Sequence, residues 1–368
     1  MRRHRSLAML VSLGLSGLLP VVAGPEPADA APTEAPAAGS SVHTDEVCFS
    51  VHNEGDPATN EVHGVRYYLG APGPQTKVII LVHGHSVTGS FWDLRPDFSV
   101  ARRFAEAGYL VIAYDRLGYR KSPYLRPHGA GWTLTLSSQR AMLHEIVTQV
   151  KTGAYTSSGD GPCGMGHVPV VGLASTTVIL IGHSTGGAIV SGYPGTYHDV
   201  AAAVPTGWNN QGLPPEATAY VVRTLGPEYA KGNDYATLFP TEEGCQTALL
   251  YLPEVVSTLR PGICSHSHFV AAPAGELGTT PKTYAENLAA ITRVGPGLPV
   301  LLAFEDRDFF FPADRNAAEV QYWSAHCGCD VESWTQTGTG HFLSAHNSMP
   351  TFTAKVVSWL ASKGLAGG

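Results

Sequence analysis

The sequence predicts an α/β protein with a doubly wound, mostly parallel sheet and one inserted cap, and three observations lead there. Runs of consecutive Val, Ile and Leu, as at Lys77 to Val82 and Thr177 to Ile181, lack polar alternation and so describe strands buried on both faces. Helix candidates lie between these runs, which is the pattern of a sheet covered on both sides. One interval, Thr206 to Gly297, holds no such run and is too long for an ordinary connection.

Taken in order, the chain opens with an export pattern over residues 1–30. Arg2, Arg3 and Arg5 precede an apolar stretch from Leu7 to Val22, and Ala28-Asp29-Ala30 follows as a cleavage site, with Val21-Val22-Ala23 as a second candidate. Gly14, Gly17 and Pro20 interrupt the stretch, which is short for a bilayer span, so a secreted product without stable membrane insertion is expected. Residues 31–45, rich in Ala and Pro, read as a flexible leader. The first part of the core spans 46–205. It holds strands at Val47 to His52 and Val65 to Leu69, which form an antiparallel edge, then at Lys77 to Val82, Tyr109 to Tyr114, Thr177 to Ile181 and Val200 to Val204. Helices are expected at Ala101 to Ala107, Ser137 to Lys151 and Gly186 to Tyr193. The cap occupies 206–297. A second core part, 298–368, adds strands at Leu298 to Phe304 and Val331 to Trp334 and helices at Asp314 to Ser324 and Thr351 to Ser362.

Composition narrows the function. The net charge is -7 with 14% charged residues and no basic block after the N-terminus, so nucleic acid is not an expected partner. Six cysteines in an exported chain point to disulfides, and Cys245 with Cys264 would close a short loop. Cys264, His266 and His268 have alternate spacing that could serve a metal, but the oxidising context favours the disulfide, and neither metal nor cofactor is implied. Oligomeric state stays open.

The chemistry gathers around Gly182-His183-Ser184-Thr185-Gly186, a G-x-S-x-G pattern placed between a buried strand and an apolar helix face. A serine hydroxyl needs a base to take its proton and an acid to orient that base. Downstream, Glu305-Asp306-Arg307-Asp308 follows a strand, and Gly340-His341 lies between a strand and the last helix, giving the order Ser, acid, His. His326 and His346 would each need a different loop geometry to reach Ser184.

On these residues, from about residue 60 to its end, the chain resembles the α/β-hydrolase superfamily. The resemblance implies a triad of Ser184, Asp308 and His341, with Asp306 as a second candidate acid because Glu305 replaces the family's usual loop glycine. It further implies that His83-Gly84-His85 is the oxyanion loop, with the backbone N–H groups of His85 and Thr185 as the donors, His83 shaping the loop, and the His85 imidazole free to meet substrate. Asp115 to Ser122 resembles the family's loop near the site mouth, with Arg120 in place of a glycine. Phe91 and Trp92 are expected to line the acyl pocket or to pack as core. The implied activity is that of a secreted serine hydrolase acting on a small-molecule, ester-like substrate. A lactonase, an exported peptidase or amidase, and a catalytically silent binding protein of the same fold are the alternatives. Trp208, Tyr220, Tyr229, Tyr235, Phe239 and Tyr251 give the cap an aromatic character suited to an apolar substrate.

Overall fold

The computed structural model describes residues 41–54, 56–157, 163, 168–169, 174–264 and 268–368. The export signal and most of the leader expected from the sequence lie outside them, as does His266.

Eight strands build the sheet: β1 (His43–His52), β2 (Thr59–Tyr68), β3 (Val78–Val82), β4 (Leu110–Tyr114), β5 (Val178–His183), β6 (Ala202–Thr206), β7 (Pro299–Glu305) and β8 (Asp330–Gln336). Their order is β1-β2-β4-β3-β5-β6-β7-β8, and the short strands Thr156–Ser157 and Val168–Pro169 extend it beyond β1. Every pair from β4 to β8 is parallel, whereas β1 and β2, and β2 and β4, are antiparallel. Strands β3 to β6 are buried at every residue, as runs without polar alternation require.

The first strand begins earlier than the sequence suggests, inside what reads as leader. Its start is polar, so no apolar signal marks it. Asp45 is instead fixed by Arg66 Nε at 2.8 Å and by the Tyr68 hydroxyl at 2.9 Å from the opposite strand.

Helices α1 (Val100–Glu106), α2 (Leu136–Thr152) and α3 (Thr185–Gly192) follow β3, β4 and β5. Helix α2 is bounded by side-chain chemistry. Thr135 accepts the Ser138 N–H, Ser138 answers from its side chain, and Gly153 closes the helix at φ 70°. Between β6 and β7 come α4 (Pro215–Ala230), α5 (Glu242–Leu249), α6 (Ala274–Gly278) and α7 (Thr280–Ile291), followed after β7 by α8 (Ala313–His326) and after β8 by α9 (Met349–Ser362). Helices α2, α3 and α7 pack together, α1 packs on α9, and α8 packs on β7 and β8.

The placement of α7 bears on the cap interval expected from sequence. It lies within the expected insertion, yet it packs on α3 as a layer of the core. Its buried face is largely polar: Asn287 donates to the Ala188 carbonyl at 2.9 Å and accepts from Arg140. A helix recognised by apolar spacing alone is missed when Asn and Thr do the packing.

The cysteines sit in three pairs at disulfide distance, Cys48 with Cys163, Cys245 with Cys264 and Cys327 with Cys329. Among the described residues no helix is long and apolar enough to cross a membrane.

Candidate active site

Ser184 stands where β5 turns into α3, and its backbone holds φ 57° and ψ -123°. Few non-glycine residues adopt positive φ, and such strain concentrates at functional turns. The neighbours make the turn possible. A Cβ at Gly186 would collide with the Val82 and His83 carbonyl oxygens, and one at Gly84 would come within 2.9 Å of the Ser184 Cβ. The strained turn leaves Ser184 Oγ facing His341 Nε2 at 2.9 Å.

His341 continues the line. Its Nδ1 lies 2.7 Å from Asp308 Oδ2, and the other carboxylate oxygen accepts the N–H groups of Phe310 at 2.7 Å and Phe311 at 3.0 Å. The Asp308 side chain is wholly buried. A carboxylate can only accept, so Nδ1 carries the proton and Nε2 presents a lone pair to the serine. Asp306 is occupied elsewhere: it accepts the Thr339 N–H at 3.0 Å and so pins the loop that carries His341.

His346 and His83 hold loops in place by hydrogen bonds. His346 Nε2 accepts the N–H groups of Gly340 at 3.1 Å and Tyr251 at 3.0 Å, and burial pushes its pKa down to about 4, which keeps that nitrogen an acceptor. His326 sits exposed at the end of α8. His83 accepts the Arg116 N–H at 3.0 Å and reaches the Gly84 carbonyl at 2.8 Å, and burial with the nearby Arg116 charge holds it well below the ordinary histidine range. Asp115, raised by burial, accepts the Gly89 N–H at 2.8 Å and staples its own loop to the one after β3.

Gly84, His85, Ser184, Thr185 and His341 share one pocket. Phe91 lines it, as do Phe310, Phe311 and Phe342 from the loops that carry the acid and the histidine. From the segment between β6 and β7 come Trp208, Leu213, Val221, Leu238, Phe239, Leu249, Leu277, Thr280 and Tyr284. Trp92 is not on this wall. It shares a tight turn with Phe91, which leaves the two rings near perpendicular at 4.8 Å and sends Trp92 into the core. Tyr220, Tyr229, Tyr235 and Tyr251 are likewise absent from the lining.

Behind the loop after β3 lies a cluster that the sequence reading did not single out. Glu276, on α6, is fully buried and accepts from Arg116, from the Tyr119 hydroxyl at 2.6 Å and from His85 Nδ1 at 3.1 Å. Burial works to raise its pKa, but Arg116, helped by His85 and Tyr119, holds it below the ordinary value. Arg116 also donates to the Gly84 carbonyl at 3.1 Å and to Thr185 Oγ1 at 3.2 Å, so one guanidinium fixes both loops that flank Ser184. Nothing in the local sequence pairs Arg116 with Glu276, which stand 160 residues apart.

A second buried carboxylate ends β7. Glu305 accepts the Thr206 hydroxyl at 2.8 Å, and burial together with the Asp308 charge pushes its pKa well up.

With the sheet order, the serine turn and its two partners in place, comparison with known proteins is decisive. The model of the alpha/beta hydrolase family matches residues 79–356. The chain belongs to that family. Among relatives of this hydrolase chain, a monoacylglycerol lipase of Mycolicibacterium smegmatis is 26% identical over 309 residues, covering 82% of this chain and 95% of the lipase. Solved structures share the fold at lower identity. A thermophilic esterase from Thermogutta terrifontis superposes with a TM-score of 0.56 at 13% identity, over 86% of this chain and 98% of the esterase. The 2-hydroxy-6-oxo-6-phenylhexa-2,4-dienoate hydrolase from Rhodococcus sp. strain RHA1 gives 0.54 at 16% identity, over 87% and 100%.

Proposed function

We propose that this hydrolase is an exported serine esterase that cleaves carboxylic esters of an apolar acyl group through an acyl-enzyme on Ser184. The observation that carries the reading is the line Asp308, His341, Ser184, joined at 2.7 and 2.9 Å and ending in a largely apolar pocket. Ser184 Oγ passes its proton to His341 Nε2 as it attacks the acyl carbon, and the carbonyl oxygen gathers negative charge. The N–H of Thr185, first of α3 and without an intrahelical acceptor, and the N–H of His85 receive that oxygen. His341 returns the proton to the departing alkoxide. Water then repeats the sequence against the acyl-enzyme and frees the acid.

Residues 206–279 act in this reading as the cap, since Leu213, Val221, Leu238 and Phe239 complete the pocket above the strand ends. The lipase relative supports an ester over a lactone or an amide. The three cysteine pairs support an oxidising, extracellular setting, together with the export pattern in the sequence.

A fluorophosphonate probe should label the protein once, at Ser184, and Ser184→Ala should lose both label and turnover on a panel of chromogenic esters, lactones and aminoacyl amides. Labelling elsewhere, or hydrolysis retained by Ser184→Ala, would overturn the assignment. Amide turnover exceeding ester turnover would move it to the peptidase reading.

A further inference from the structure

His85 has a ring oriented by a carboxylate at one nitrogen and bare at the other. Its Nδ1 meets Glu276 Oε2 at 3.1 Å, while Nε2 is buried without a partner among the described residues. The side chain is 3% exposed and belongs to the pocket wall. Glu276, beside Arg116, only accepts as a carboxylate, so Nδ1 of His85 bears a proton, and in the neutral tautomer this leaves Nε2 a lone pair. A buried acceptor left empty is costly unless something that enters the site fills it. The ring cannot turn away to satisfy itself without giving up Glu276.

The position of this lone pair limits what fills it. His85 follows Gly84, which packs against Ser184, and His85 and Ser184 line the same pocket, so the imidazole lies near a scissile carbonyl held there. Tyr284 brings a buried hydroxyl without a partner among the described residues to the same pocket, whose other walls, His183 apart, are mainly Phe, Leu and Val. Unpaired polar atoms in an otherwise apolar cavity mark where a ligand carries its polar groups.

We propose that His85, oriented by Glu276, is a specificity-determining acceptor for a hydroxyl group borne by the substrate close to its scissile ester. This rests on the ester-hydrolase reading of Ser184. The preferred substrate is then a hydroxylated ester, with the hydroxyl on either the alcohol or the acyl side of the bond.

Two isosteric pairs separate these sources. On the alcohol side, 2-hydroxyethyl butyrate is compared with propyl butyrate; on the acyl side, propyl 3-hydroxybutyrate is compared with propyl 3-methylbutyrate. In each pair a methyl replaces the hydroxyl. The wild-type kcat/KM should favour the hydroxylated member by about tenfold or more in one pair, since a site built for a hydroxyl penalises the analogue that lacks it. The pair that responds identifies the side. His85→Leu should bring that ratio to near one, and Tyr284→Phe should lower it. Ratios near one in both pairs for the wild type, or a ratio kept by His85→Leu in protein that still labels with fluorophosphonate, would overturn the proposal. Turnover of none of the four esters would instead remove the ester-hydrolase reading, and this proposal with it.

Discussion

Two fully buried glutamates flank the site, and their surroundings push their pKa values in opposite directions. Glu276 reaches in from the segment between β6 and β7 and meets Arg116; Glu305 ends a core strand and meets a hydroxyl and a second carboxylate. Burial disfavours the charged form of both. The Arg116 guanidinium outweighs burial and holds Glu276 below the ordinary value, whereas burial and the Asp308 charge push Glu305 well above it, toward its neutral form. The difference suits each place. A charged Glu276 can orient a donor, the His85 ring, and anchor a cation that fixes two loops. A neutral Glu305 adds no second negative charge behind the Asp308 that orients His341.

The largest effect should come from testing whether Asp308 alone does the orienting on the strand side. Asp308→Asn should lower kcat by about 10³–10⁴-fold, because the amide can no longer hold His341 in the tautomer that presents a lone pair to Ser184. Asp306→Asn should cost less than about tenfold, since Asp306 serves a backbone N–H. Single-turnover ester hydrolysis distinguishes the two, and equal losses would break the assignment of the acid.

The inserted side should respond more in stability. Arg116→Met strands the Glu276 charge in the interior and should destabilise the fold by about 3–5 kcal/mol in urea titration. Arg116→Met with Glu276→Leu removes both charges and should recover most of that loss, though not the loop positioning, so kcat stays depressed. If the double variant is as unstable as the single, the pair is not acting as a compensated buried ion pair.

The two sides also differ in how far the sequence reveals them. Buried strands announce themselves by unbroken Val and Ile runs, and β3 to β6 were legible to within about two residues for that reason. Ser184 is singled out because a strained turn demands glycines at fixed spacing, whereas Asp308 and His341 are named through resemblance to the family's loops after the strand ends, which leaves Asp306 open as the acid. Three-dimensional partnership leaves no such trace. Arg116 lies in a recognisable loop and Glu276 in a segment without a clear period, and only folding shows that they meet. The face of α7 was unreadable for another reason: Asn287 and Thr283 are polar residues used as core. Of the two readings left open for Phe91 and Trp92, pocket lining or core, Phe91 takes the first and Trp92 the second, because neighbours in a tight turn diverge, which composition cannot express.

The smallest effect is the most direct check on Glu305, and its sign follows from proton binding. The folded chain keeps the Glu305 proton above the ordinary value of 4.5, whereas the unfolded chain releases it there. Between those two values the folded state binds more protons, so stability that is complete below the ordinary value is lost as pH rises toward the raised one. Glutamine has the shape of the protonated acid, still accepts from Thr206, and has no such proton to lose. Glu305→Gln should therefore melt close to wild type at pH 4 and above it at pH 8, by about 2 °C for each kcal/mol that the shift is worth. Glu276 has the opposite dependence, since a carboxylate held below its ordinary value contributes stability above that value and loses it as pH falls. A Glu305→Gln variant that melts with wild type at both pH values would mean that the strand-end glutamate is ionised in the folded chain. Its charge would then lie beside Asp308, and the contrast between the two glutamates would fail.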